Sequence, residues 1–262
     1  MLRYCVLSIP RSGSTWLLTG IGHMIRNLTN YINLQEFNVP LLDMYARFEL
    51  DDKNYIRKYM DKDPVKITDP QEWLDNRANL IHVSNPAQPF VLKYMLWHSF
   101  RSVNYNDYNN LKNMQDNNVV IINLDRDPFD CAISREVSET TGIIHHWFTS
   151  QGRDNEYWHT IDGPKDKIDN PRINVNVDDF KVNYIEYLMT YNLKQQIAAD
   201  LECKTIKFNN LREDCLLNKI PFHSQSHSTK VYDEDYSDII TNYNDLLEIR
   251  DEVNTHYATK TI

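Results

Sequence analysis

The sequence predicts an α/β fold of three layers, with a central parallel sheet covered by helices on both faces. Three observations carry that expectation. Short apolar runs recur between longer segments of helical period. The cleanest runs, residues 4–9 and 119–124, are apolar at every position but Ser8 and Asn123 rather than alternating, as strands buried on both faces are. Each of the two then passes through a short polar turn directly into a helical pattern. The chain has 262 residues and no linker rich in Pro, Gly or Ser, so it reads as a single domain over 1–262.

Composition narrows the function classes. A hydrophobic share of 41% and a charged share of 25% are those of a globular protein. The net charge of −9 argues against nucleic acid or an anionic membrane as partner, so any anionic ligand must be drawn in by a local basic pocket. No run approaches the roughly 18 apolar residues of a membrane span, and residue 4 already begins a strand, leaving no signal peptide. A soluble, cytoplasmic protein is expected. Cys5, Cys131, Cys203 and Cys215 are scattered without a CxxC pair, which favours reduced, packing cysteines over a zinc site or a disulfide framework.

The first strand, 4–9, is closed by Pro10. The turn Arg11-Ser12-Gly13-Ser14-Thr15 follows, with glycine at its centre where successive backbone N–H groups can curl around an anion. Ser14 and Thr15 add hydroxyl donors, and the helix over 16–30 that opens there presents its positive dipole end. The loop lacks both the first glycine and the lysine of a Walker A sequence, which disfavours an ordinary ATP or GTP site. Residues 31–40 show no clear period and read as a loop carrying Glu36 between Leu34 and Phe37. Apolar neighbours raise a carboxylate's pKa, which makes Glu36 a candidate proton acceptor. Residues 40–60 read as helical, with a second helix starting at Asp51 and Asp52, and 71–80 as a short helix.

The second strand is 90–95, with an unusual internal Lys93 that either aims at the loop or faces water from an edge. His98 lies just beyond, where strand meets loop. Residues 106–115 read as a polar helix or loop, and 119–124 as the third strand. Next come Arg126 at that strand's carboxyl end, Asp127 as an N-cap, Pro128 at the first helical position and Ser134 two turns on. Residues 138–176 read as irregular, a lid at about 138–176 with His145, His146, Trp147, Phe148, Tyr157, Trp158 and His159. The two adjacent histidines lack a third ligand at suitable spacing, so no metal site is read there. A long amphipathic helix over 177–201, a fourth strand over 204–208, a polar loop over 221–230 and a closing helix over 236–253 complete the chain.

The segment PRSGSTWL, Pro10 through Leu17, resembles the 5′-phosphosulfate loop of the sulfotransferases at every position. Arg126 and Ser134, eight positions apart after a strand, resemble that family's 3′-phosphate site. The resemblance implies a P-loop-like fold and transfer of a sulfuryl group from 3′-phosphoadenosine 5′-phosphosulfate (PAPS), with 3′-phosphoadenosine 5′-phosphate (PAP) as product and no metal. The acceptor it implies is a hydroxyl or amine of a carbohydrate, lipid or small molecule, bound on the lid side. It also implies donor contacts from Arg11, Ser12, Gly13, Ser14, Thr15, Trp16, Arg126 and Ser134, with Lys230 as a further basic contact. Arg11 doubles as a catalytic group. Glu36, followed by aromatic Phe37, matches the general base of several carbohydrate and lipid sulfotransferases, while His98 is the rival base by likeness to the cytosolic small-molecule enzymes. The chain departs from the family's Tyr-Glu-x-Leu after the fourth strand, having Phe208-Asn209-Asn210-Leu211. Two rival readings stand beside this one: a P-loop nucleotide kinase, and a non-catalytic module that binds PAP or another nucleotide.

Overall fold

The computed structural model describes residues 3–28, 32–36, 90–96, 107–141, 143–148, 156–160, 172–223, 228–229 and 235–258. Five parallel strands form the main sheet: β1 (Arg3–Ser8), β2 (Ile32–Glu36), β3 (Phe90–Met95), β4 (Val120–Asp125) and β7 (Lys204–Lys207), in the order β2-β3-β1-β4-β7. β1 is buried at all six positions, Arg3 and Ser8 at its ends included, as its apolar middle, Tyr4 to Leu7, requires.

Successive residues of a strand point to opposite faces, and the core divides accordingly. Cys5 and Leu7 of β1 join Leu92 and Tyr94 of β3 and Ile121 of β4. On that face they pack against Leu111 and Met114 of α2 (Asp107–Asp116) and against Ile197, Ala198 and Leu201 in and just after α4 (Val177–Asp200). Tyr4 and Val6 join Val91, Ile122, Leu124 and Ile206 on the other face. There they pack against Leu17, Leu18 and Ile21 of α1 (Ser14–Leu28) and Leu211 and Cys215 of α5 (Leu211–Leu217). Both faces of the sheet are therefore covered, and the predicted fold class is the observed one.

A third apolar cluster is helical. Phe129 of α3 (Pro128–Thr141) meets the rings of Phe180 and Tyr184 of α4 edge-on, at 5.7 Å and 5.5 Å between centroids. Ile239 of α6 (Tyr236–Ile239) and Leu246 and Val253 of α7 (Tyr243–Ala258) close the cluster. Ile9, two residues before the glycine turn, belongs to it as well, so that turn is anchored in helical as well as sheet core.

Five expectations change. Residues 32–36 form an edge strand rather than a loop, because their ladder partner, β3, lies more than fifty residues away in sequence and no local period announces it. Within 138–176, α3 continues to Thr141, and β5 (Ile143–Phe148) and β6 (Glu156–Thr160) then pair antiparallel. β8 (Ser228–Thr229), inside the expected polar loop, adds to the other edge of β5 in a sheet ordered β6-β5-β8. The aromatic residues read as loop surface, Trp147, Phe148, Tyr157 and Trp158, are thus strand formers. The closing helix is two helices, α6 and α7, interrupted where Ile240 bridges to Ile173. The expected strand end at Phe208 is instead a single 3₁₀ turn over Phe208–Asn210 leading into α5. The expected helices within 40–80 lie outside the described residues.

Ile122 sits in the middle of β4 with no exposed surface. Ile122→Ala is expected to cost about 2–4 kcal/mol and lower the urea midpoint at an unchanged m-value. An unmoved midpoint would place the core elsewhere.

Candidate functional site

In the order β2-β3-β1-β4-β7 the chain winds away from β1 in both directions, so the strand order reverses between β1 and β4. In open parallel sheets ligands bind in the crevice outside the strands' carboxyl ends at such a point. The glycine turn leaves β1 there, and Arg126 leaves β4 beside it.

The turn takes two left-handed residues, Arg11 at φ 62° and Gly13 at φ 84°. Glycine is needed at the second for space as well as torsion: a Cβ there would stand 2.2 Å from Cε2 of Phe208. Ser12 is fully buried and its hydroxyl donates to the Ile9 carbonyl at 2.7 Å, which helps to build the turn. The N–H groups of Trp16 and Leu17 both return to the Gly13 carbonyl, which starts α1 with its dipole directed at the crevice.

Arg126 ties the two sequence motifs together. Its Nη1 donates to the carbonyl of Arg11 at 2.6 Å and its Nη2 to the hydroxyl of Tyr236 at 3.3 Å. Its guanidinium lies 4.3 Å from the centroid of the Phe208 ring, whose edge-to-face partner is Trp16 at 5.9 Å. Arg11 in turn donates from Nε to the hydroxyl of Ser134 at 3.3 Å. The local reason is the cap read from sequence: the Asp127 carboxylate accepts from the Phe129 N–H at 2.7 Å, so α3 starts at Pro128 and places Ser134 two turns along. Burial lowers the pKa of the Arg11 guanidinium, nearby phenols of Tyr187 and Tyr236 oppose that, and Arg126 adds to the lowering. The Arg126 Nε is buried and has no hydrogen-bond partner among the described residues.

Lys93 is buried on β3 and its ammonium reaches the Thr15 hydroxyl at 3.5 Å, which decides for the loop-facing alternative. Ser14 is buried at the first position of α1. Glu36 ends β2 with its Cα paired to that of Lys93 across a register shift, so the backbone brings it to the same carboxyl edge. His98 and Lys230 lie outside the described residues.

Three contributors escaped the sequence reading: Phe208 under the Arg126 guanidinium, Tyr236 on its Nη2, and a group on α4. In that group Lys194 is fully buried, donates to the Leu124 carbonyl at 2.6 Å and stands 3.9 Å from the Asp125 carboxylate. Asp125 also accepts from the Tyr191 hydroxyl at 2.9 Å and from Gln195 Nε2 at 2.6 Å. Burial pulls the Lys194 ammonium down to about 8, with Asp125 opposing the fall. The signal was present: Phe180, Tyr184, Tyr187, Tyr191 and Lys194 follow one another at spacings of four and three, so a lysine occupies the buried stripe. Burial likewise pushes the Cys131 thiol up to about 12, which keeps it neutral.

Among the described residues no group of three or more His, Cys, Asp or Glu could hold a metal ion, and no helix is long and apolar enough to cross a membrane. No family model and no curated protein matches the chain. Among solved structures, the sulfotransferase domain of an olefin synthase from Synechococcus PCC 7002 is similar at a TM-score of 0.37 and 14% identity, over 90% of this chain and 78% of that one. A likeness of that size carries no functional weight, and the functional reading rests on the site itself.

Gly13→Ala is expected to cost about 1–3 kcal/mol in chemical denaturation, since the new Cβ meets a ring pinned between Arg126 and Trp16 and φ is left-handed. Phe208→Leu in that background should recover the steric part, and a strictly additive double mutant would refute the contact.

Proposed function

We propose that this chain is a sulfotransferase that moves a sulfuryl group from PAPS to a hydroxyl or amine acceptor. The observation that carries the reading is the hydrogen bond from Arg126 to the Arg11 carbonyl, which joins a glycine anion turn to a second cation across 115 residues of sequence. The buried Arg126 Nε without a partner fits a ligand oxygen, because a buried donor left unpaired costs about 1–3 kcal/mol.

In this reading the turn and the start of α1 hold the 5′-phosphosulfate, with Ser14 and Thr15 donating to it and the charges of Arg11 and Lys93 stabilising the oxygens that gain charge in transfer. Arg126, Ser134 and Lys230 take the 3′-phosphate, a task to which arginine's planar fork is suited. Trp16 supplies an aromatic face for the adenine. PAPS supplies the activated sulfur: the acceptor oxygen or nitrogen bonds to it as its bond to the bridging phosphate oxygen breaks, and PAP leaves with that electron pair. Glu36 accepts the acceptor's proton, with His98 as the rival base. The sheet β6-β5-β8, whose β5 and β8 run close to α3 and α1, forms the acceptor side. A nucleotide kinase remains the competitor for the same topology, although the turn lacks the Walker lysine.

PAP should raise the melting temperature of the protein while ATP with Mg²⁺ hardly moves it. Arg126→Ala should weaken PAP binding by a few kcal/mol in calorimetry and leave adenosine 5′-phosphosulfate, which lacks the 3′-phosphate, nearly unchanged. Equal losses for both ligands would make Arg126 structural, and stronger protection by ATP with Mg²⁺ would favour the kinase.

With labelled PAPS and an acceptor found by screening, Glu36→Gln should reduce turnover by about 10² or more at nearly constant PAP affinity. If His98→Asn is inactive instead and Glu36→Gln stays near normal, His98 is the base. PAP binding with no turnover on any acceptor would leave a binding module.

A further inference from the structure

A buried lysine is costly, and Lys194 is buried completely, one residue pair away from the proposed phosphate ligand. Its surroundings are specific. α4 presents Tyr191, Lys194 and Gln195 on one turn, and all three engage the last two residues of β4: Lys194 the Leu124 carbonyl, Tyr191 and Gln195 the Asp125 carboxylate. On its β1 side, β4 has no ladder partner beyond Asn123, so this end of the strand is fixed by β7 and by α4. Arg126 is the next residue.

We propose that Lys194 is a positioning residue for the anion site: its ammonium engages Asp125 and the Leu124 carbonyl, and so keeps that carboxylate from opposing a phosphate at Arg126. The inference rests on Arg126 as the phosphate ligand argued above. Asp125 is a fixed negative charge one residue from Arg126. With Lys194 charged, the pair presents no net charge to the site. With Lys194 neutral, Asp125 stands uncompensated, repels an incoming dianion and competes for the guanidinium.

The sign of the pH effect follows. A bound 3′-phosphate favours the charged form of Lys194, so binding takes up protons and affinity is greatest below the lysine's pKa of about 8 and falls as pH rises through it. Among the described residues, the titratable groups facing Lys194 are Asp125 from β4, Cys131 from α3 and Tyr191 from its own helix. Cys131 and Tyr191 are both pushed up to about 12, so neither changes state between pH 7 and 9.5. The second ionisation of a phosphate monoester, near 6, also lies below that window.

The test is calorimetric titration of PAP and of adenosine 5′-phosphosulfate from pH 7 to 9.5. The wild type should lose about tenfold in PAP affinity across the window, while adenosine 5′-phosphosulfate changes little. Lys194→Met should bind PAP weakly at every pH, and adding Asp125→Asn to it should restore PAP affinity with a flat profile. Asp125→Asn alone should also be flat, which keeps the test open should Lys194→Met fail to fold. A flat wild-type profile, an equal decline for both ligands, or no rescue by Asp125→Asn would overturn the role given to Lys194. Failure of the underlying phosphate-site reading would look different, because the wild type would then not bind PAP even at pH 7.

Discussion

The structure turns on one hydrogen bond, the 2.6 Å contact from Arg126 Nη1 to the carbonyl of Arg11. Arg11 holds a left-handed φ of 62°, which costs a residue with a side chain roughly 1–2 kcal/mol, and so it needs to be held. Arg126 holds it by the carbonyl and Ser134 by the guanidinium. Two cations are thereby drawn together in a chain of net charge −9, and Arg126 lowers the Arg11 pKa accordingly. An arrangement that brings like charges together and leaves a buried Nε–H unpaired among the described residues is poor for stability alone. It is good for an oxyanion with several acceptor oxygens.

The layers of the fold serve that contact. β1 and β4 are neighbours in register, so their carboxyl ends finish side by side and the residues that follow must meet. α1 and α3, starting from those ends, then direct their first turns and Ser134 at the crevice. Phe208, arriving from β7 on the far side of β4, fills the space under the guanidinium and against Gly13, which makes the glycine a requirement of packing as well as of torsion.

The same logic explains why a buried lysine is tolerated. Removing an ammonium from water is expensive, and burial lowers the Lys194 pKa for that reason. A methionine would fill the stripe of α4 more cheaply. What the lysine adds is a charge opposite Asp125 at the end of the strand that delivers Arg126. The half of the site nearest β3 follows the pattern, with Lys93 buried and turned to the Thr15 hydroxyl.

The sequence alone determined the features whose causes are local. The predominantly apolar runs of β1, β3 and β4, the glycine turn, and the Asp127-Pro128 start of α3 could be read directly, because burial on both faces, left-handed torsion and capping each leave a signature within a few residues. It also placed Arg11 and Arg126 at strand ends, and therefore at one edge of a parallel sheet. Tertiary structure decided what depends on distant partners. β2 is a strand because β3 supplies its ladder, and 143–148 and 156–160 are strands because each completes the other. Phe208, Tyr236 and Lys194 join the site across 82, 110 and 70 residues because pairing with β4, packing of the last helices and the stripe of α4 carry them there. No local pattern encodes such meetings, since the free energy that fixes them is gained only when the separated segments come into contact.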